Sequence, residues 1–424
     1  MKRIRTFLPL ALLIFTALGQ GANSAAAASA SQAQAAPASR VLDLKASDGT
    51  ILKASYFEAA KPGPGVLLLH QGNRQRKTWD DLAAQLAAAG IHTLTFDLRG
   101  FGESGGTPHK QLSRKEFYRI EKQTWPSDID TAFQYLVSQP GVTRDVIGIG
   151  GAGFEGVDNS VHTAIRHSAA VKSLVLLSGE TFLPGLQFLR QASQLPGLFV
   201  VADEDEYPPT VEAMELLYST SSSPGKKFVH YAGTEPPWNG DEDVYEAPLP
   251  SGHGTDLFKV HPELPGMIAD WFVTTLIKTP GQAPVDDSSE ARLPFVSIVN
   301  QIESAGGLAQ VRQQLMEARR RDPKAQLWPE AILRIMGYDH LRVGDPKPAV
   351  EIMKLNLTAY PDSADANDSL GDAYLANGEK DLARQYAEKA LALLASDTED
   401  SEARRKVIRD SAQQKVDQLG EKQR

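Results

Sequence analysis

Val146-Ile147-Gly148-Ile149-Gly150-Gly151-Ala152-Gly153-Phe154-Glu155-Gly156 is the stretch whose reading decides the fold. A β-branched apolar run ends in glycines, and residues 157–170 follow with apolar side chains at helical spacing. A strand that enters a helix through so tight a turn needs residues without a Cβ, because the backbone visits positive φ and packs closely. Two chemistries use such a turn. One lifts a serine to the top of a sheet in a Gly-x-Ser-x-Gly elbow. The other cradles a phosphate in Gly-x-Gly-x-x-Gly, which Gly151-x-Gly153-x-x-Gly156 matches literally.

Outward from this turn, the apolar runs 65–70, 92–97, 145–150, 171–178, 197–202 and 227–231 are short and continuous, as in strands buried on both faces. Between them, residues 79–89, 127–139, 157–170, 184–193, 210–220 and 255–276 show helical spacing. The alternation predicts an α/β domain over 41–278, a mostly parallel sheet with helices on both faces. Ligands of such sheets bind beyond the carboxyl ends of the strands. The loops there read His70-Gln71-Gly72-Asn73, Asp97-Leu98-Arg99-Gly100-Phe101-Gly102-Glu103-Ser104, Ser178-Gly179-Glu180, Asp203-Glu204-Asp205-Glu206 and Ser251-Gly252-His253-Gly254-Thr255-Asp256.

These motifs, in this order, resemble the α/β-hydrolase superfamily and its dienelactone-hydrolase and esterase-like branch. The resemblance spans about residues 41–277. It implies that Leu67-Leu68-Leu69-His70-Gln71-Gly72 is a strand with its oxyanion loop, and that 96–104 is the superfamily's Asp-x-Arg-Gly-x-Gly-x-Ser turn. The order nucleophile, acid, histidine then places the acid at Asp205 and the base at His253. The imidazole would take the nucleophile's proton, and the carboxylate would fix its tautomer. Backbone N–H groups at Gln71, Gly72 and Phe154 would face the oxyanion. The departure is at the elbow: the serine's position is Gly153, and the closing glycine's position is Glu155. Covalent catalysis by residue 153 is thereby removed. The chain reads as a pseudoenzyme, a weak hydrolase that activates water through His253, or an enzyme with a displaced nucleophile. Restoring a serine at 153 is expected to raise esterase activity.

Other readings stand beside this one. Asp203 is a rival acid, and an acidic run there also suits the start of a helix. His70 and Asp97 read as braces for loops. Glu155 and Asp158 are carboxylates beside the elbow, chemically able to act as nucleophiles, yet acidic residues also favour a helix's first turn. Ser160 lies too far along its helix. Under the dinucleotide reading, Glu180 stands near the place of a ribose-binding acid. Residues 116–126, with Tyr118 and Trp125, would line an acyl or aryl pocket or simply pack.

The chain has 424 residues, a net charge of -9 and no cysteine. The acidic balance argues against a nucleic-acid partner, and the missing cysteines remove disulfides and thiol chemistry. No cofactor and no metal site is called for. Residues 1–26 have the basic head, short apolar run and small residues of a signal peptide. The expected location is periplasmic or secreted, with no membrane span in the mature form. Residues 27–40 read as a flexible leader and 279–292 as a linker. Over 293–424 the pattern is helical, and Gly337/Gly371, Leu341/Leu375 and Ala349/Ala383 recur at a 34-residue spacing. This resembles the tetratricopeptide repeat, with repeats over about 330–363 and 364–397. The resemblance implies a surface for a protein or peptide, alongside a small ester-like ligand in the first domain. Asn356 and Asn367 open glycosylation sequons that read as coincidental.

Overall fold

The computed structural model describes residues 39–420, apart from 73, 208, 234–251, 287–292 and 398–399. The signal peptide and most of the leader lie outside the described residues. Ser39 and Arg40, expected in the leader, already belong to the first strand.

The chain opens with a hairpin, β1 (Ser39–Lys45) and β2 (Ile51–Phe57), followed by β3 (Gly63–Leu69), α1 (Asp80–Ala88) and β4 (His92–Phe96). Next come α2 (Arg114–Gln123), α3 (Trp125–Ser138), β5 (Val142–Ala152), α4 (Gly153–Arg166) and β6 (Val171–Leu177). They are followed by α5 (Leu183–Gln191), β7 (Gly197–Ala202), α6 (Thr210–Thr220) and β8 (Lys226–Tyr231). The eight strands form one sheet in the order β1-β2-β4-β3-β5-β6-β7-β8. β2 runs antiparallel to β1 and β4, and all later pairings are parallel. The opening hairpin is absent from the strand pattern expected above. β1 is mostly exposed and β2 mostly buried, and neither carries the continuous apolar run of the central strands.

Strand residues alternate between the two faces, as period-2 geometry requires. Leu67 and Leu69 pack with Val157 and Val161 of α4 on one side, and Val66 and Leu68 pack with Leu82, Leu86 and Phe272 on the other. The helix expected over 255–276 is broken into α7 (Leu257–Val260), α8 (Leu264–Phe272) and a π-helical turn over Val273–Lys278. Pro262 causes the first break, since it has no N–H to donate and its ring clashes with the preceding turn. The helix expected to begin at 157 begins instead at Gly153, with Ala152 as its extended cap. In residues 116–126 Trp125 is buried against Phe101 and Phe117 while Tyr118 is exposed, and Ser113 caps α2 in a capping box with Glu116.

Among the described residues seven helices follow: α9 (Val296–Ile302), α10 (Gly307–Arg321), α11 (Glu330–Arg342), α12 (Pro346–Ala359), α13 (Ala364–Ala376), α14 (Lys380–Leu394) and α15 (Glu402–Gly420). α13 starts 34 residues after α11, and α14 starts 34 after α12. Gly337 sits against Met353, and Gly371 against Ala383 and Ala387, so in each pair the glycine lies at the helix crossing. Asn356 and Asn367 are buried. α12–α15 have buried apolar clusters of their own, around Met353, Leu370 and Tyr374, while the first helices after residue 293 join the core of the sheet domain. Leu293, Phe295, Ile298 and Val299 share one buried cluster with Leu189, Met214 and Leu217 of α5 and α6. Asn300 Nδ2 donates to the Ser219 carbonyl at 2.9 Å. In the described part of the expected linker, Ala283 lies against Gly225.

Candidate active site

β5 ends in the centre of the sheet and turns directly into α4. Gly153 has φ +65°, a left-handed conformation that L side chains rarely adopt. Gly151 and Gly156 serve a different need. A Cβ on Gly151 would strike the Gly156 carbonyl, and one on Gly156 would lie 2.7 Å from the Leu69 carbonyl oxygen. The glycine run therefore lets α4 cross tightly over β5 and β3, and this packing accounts for the match to a phosphate-binding pattern. Glu180, which the dinucleotide reading needs for a ribose, lies half-buried 3.8 Å from Arg342 of α11.

The loops after β7 and β8 deliver the acid and the histidine to this turn. His253 Nδ1 lies 3.0 and 3.1 Å from the two carboxylate oxygens of Asp205, with both residues buried. A carboxylate only accepts, so Nδ1 carries the hydrogen and Nε2 faces away. Nε2 is 3.0 Å from the point where a Cβ on residue 153 would sit. Asp205 also accepts from the Tyr207 N–H at 2.9 Å. The rival Asp203 is turned elsewhere, to His230 Nε2 at 2.6 Å and the Gly233 N–H at 3.0 Å. Burial works against a charged His253 imidazole. The Asp205 carboxylate, by charge and hydrogen bond, with Glu206 and Glu155 beyond it, more than offsets that, so the pKa lies above the ordinary 6.5. The rings of Tyr207 and Phe154 flank the imidazole, with centroids 4.6 and 5.3 Å away.

Two side chains close the remainder of the turn. Glu155 reaches back so that Oε2 accepts the Gly72 N–H at 2.9 Å, and this donor, expected to face an oxyanion, instead binds a carboxylate of the chain itself. Gln71, expected to contribute only its backbone, places its own Cβ where a residue-153 Cβ would have to go. A serine placed at 153 would therefore have to displace Gln71, since its Cβ would overlap the Gln71 Cβ. The Phe154 N–H stands in the first turn of α4, among the donors that a helix leaves unpaired by its own bonds.

The other polar residues singled out are paired or buried within the fold. His70 Nε2 accepts the Leu98 N–H at 2.9 Å, and Asp97 is buried against Arg76, which also bonds Glu103 Oε2 at 2.5 Å. Asp158 binds Lys122 Nζ at 3.0 Å and Thr181 Oγ1 at 2.7 Å. Ser160 is fully buried in α4. Among the described residues no cluster of three or more His, Asp or Glu has the arrangement of a metal site, and no helix is long and apolar enough to cross a membrane.

A mostly parallel eight-stranded sheet, an antiparallel second strand and a sharp β5-to-α4 elbow facing an Asp–His pair decide the architecture. The fold is that of the α/β hydrolases. No family model matches the chain. It is 30% identical over 110 residues to the thiohydrolase aneE of Aspergillus aculeatus, covering 26% of this chain and 32% of that protein. It is 38% identical over 74 residues to the polyketide transferase claH of Penicillium crustosum, covering 18% and 21%. Both matches thus span a third or less of the relative's length. Similar solved structures include a dienelactone hydrolase from Anabaena variabilis, with 17% identity, a TM-score of 0.40, and coverage of 57% of this chain and 99% of that one. The Pyrococcus furiosus esterase Pf2001 has 13% identity, a TM-score of 0.42, and coverage of 56% and 93%.

Proposed function

We propose that this chain is an exported protein of carboxylic-ester hydrolase ancestry in which acyl-enzyme chemistry at the elbow is weak or lost. One observation carries the reading: an intact Asp205–His253 pair faces a glycine where the nucleophile's hydroxyl would be. In ester hydrolysis the imidazole takes a proton from that hydroxyl as it attacks the acyl carbon, and backbone N–H groups hold the oxyanion. Here His253 has no hydroxyl at 153 to deprotonate, and one donor is already bound to Glu155. Loss of the triad serine in a serine protease removes about 10⁶ of turnover and leaves roughly 10³–10⁴ over water. A slow reaction, with water deprotonated by His253, is the most that this geometry supports. The thiohydrolase among the partial relatives is in keeping with ester or thioester ancestry. Export rests on the signal-peptide pattern of residues 1–26.

The test is to treat the purified protein with a serine-directed fluorophosphonate and with p-nitrophenyl acetate. The expected result is no covalent label and at most slow turnover, abolished in His253→Ala. A label mapped by mass spectrometry to any serine would show a displaced nucleophile and end this reading. Turnover that survives His253→Ala would remove His253 from the role of base.

A second reading is binding through a tetratricopeptide-like surface. Its support is the 34-residue recurrence of the α11–α12 and α13–α14 pairs, with glycines at both crossings. A partner of that surface would bind the protein and its His253→Ala variant equally.

A further inference from the structure

We propose that Gln71 has taken the place of the missing nucleophile and is the positioning residue of His253, so that the elbow is closed by a side chain as well as lacking a hydroxyl. The proposal rests on the reading of the elbow as inactive, and it adds what holds the site shut. Gln71 is only 1% exposed, and its amide is engaged at both ends. Nε2 donates to the His253 carbonyl at 3.1 Å, while Oε1 accepts from the Thr255 N–H at 2.8 Å and from the Thr255 hydroxyl at 3.0 Å. Three hydrogen bonds therefore tie the loop after β3 to both neighbours of Gly254, across more than 180 residues of sequence.

Two glycines border this one side chain. At Gly153, an added Cβ would overlap the Gln71 Cβ and lie 3.3 Å from its Cα. At Gly254, with φ +56°, an added Cβ would run into the Gln71 amide, 2.6 Å from Cδ. The same residue-153 Cβ would stand 3.0 Å from His253 Nε2. Gln71 therefore occupies the volume through which a nucleophile would meet its base, and its amide fixes the backbone from which that base projects. Because the conflict at 153 begins at the Gln71 Cβ, no change of Gln71 rotamer relieves it, and only a residue without a Cβ at 71 opens the seat.

Two measurements on the full chain test this. The first compares Gly153→Ser/Glu155→Ala with Gly153→Ser/Glu155→Ala/Gln71→Gly. Both variants supply a hydroxyl and release the Gly72 N–H, and they differ only at 71. Fluorophosphonate labelling of the introduced serine should be about 10²-fold faster in the triple variant, the scale of a reacting group misplaced by roughly 1 Å. Equal rates, or no labelling of a folded triple variant, in proteins whose His253 titrates alike, would overturn the proposal. Labelling of the unaltered protein would instead overturn the inactive-elbow reading, so the two failures are distinguishable. The second measurement follows the His253 imidazole by NMR titration, assigned by its loss in His253→Gln. Gln71→Met keeps the bulk but not the hydrogen bonds, and it should move the His253 pKa back toward the ordinary value. An unchanged titration would mean that Gln71 only fills space. This arm stands even if the serine variants fold poorly.

Discussion

His253 is a buried imidazole whose charged state is favoured by its carboxylate neighbours despite the loss of water around it. Its folded-state pKa is raised, so its contribution to stability is fully present below the unfolded value of about 6.5 and is lost as pH rises through the folded value. Stability measured by urea unfolding should therefore fall across the window just above pH 6.5. Asp205→Asn should flatten that fall, because it removes the charge that holds the proton. A slope identical in the two proteins would show that the pair is not coupled as described. The same pair illustrates what was readable at this scale. Asp205 and His253 follow from the order of motifs, and Glu155 stands out as the residue that replaces a glycine. Nothing in the sequence, however, indicates that the Gln71 side chain and residue 153 compete for one volume.

At the scale of elements, the crossing of α4 over β5 depends on the absence of side chains at Gly151 and Gly156. Gly151→Ala would press a methyl group into the Gly156 carbonyl, which belongs to the backbone and cannot rotate away. Overpacking of this kind costs about 1–3 kcal/mol, and this site is expected at the upper end of that range. Denaturant unfolding of the variant measures it, and a change within error would mean that α4 can lift off the sheet. A literal motif match misleads here because close helix–strand packing and phosphate binding both demand glycine. The break between α7 and α8 had a visible cause in Pro262. The hairpin β1–β2 did not stand out, since β1 is mostly exposed and the apolar signal of the pair is diluted.

Over the whole molecule, the sheet domain and the helices after residue 293 share apolar packing. Ile298 and Val299 meet α6, and Arg342 of α11 lies 4.2 Å over the ring of Phe182 in the loop after β6. That loop also abuts the elbow, since a Cβ on Gly179 would clash with the Gly153 carbonyl. A shared core unfolds as one unit more readily than two domains joined by a tether. Scanning calorimetry should accordingly show a single transition for the full chain, and a chain cut after residue 286 should expose Met214 and Leu217 and lose solubility. Two well-separated transitions would restore the picture of independent domains.

What the sequence determined by itself was whatever local chemistry dictates: continuous apolar runs for buried strands, 3.6-residue spacing for helices, glycines at the turn, and the order in which acid and base follow the elbow. Periodicity and covalent order are properties of the chain and need no partner to be read. What only the tertiary structure decided was the filling of space between residues far apart in sequence. Gln71 sits in the seat at 153, Glu155 caps Gly72, and the first helices after residue 293 join the core of the sheet domain. Steric exclusion and hydrogen-bond pairing act through distance in space, and no spacing along the chain encodes them.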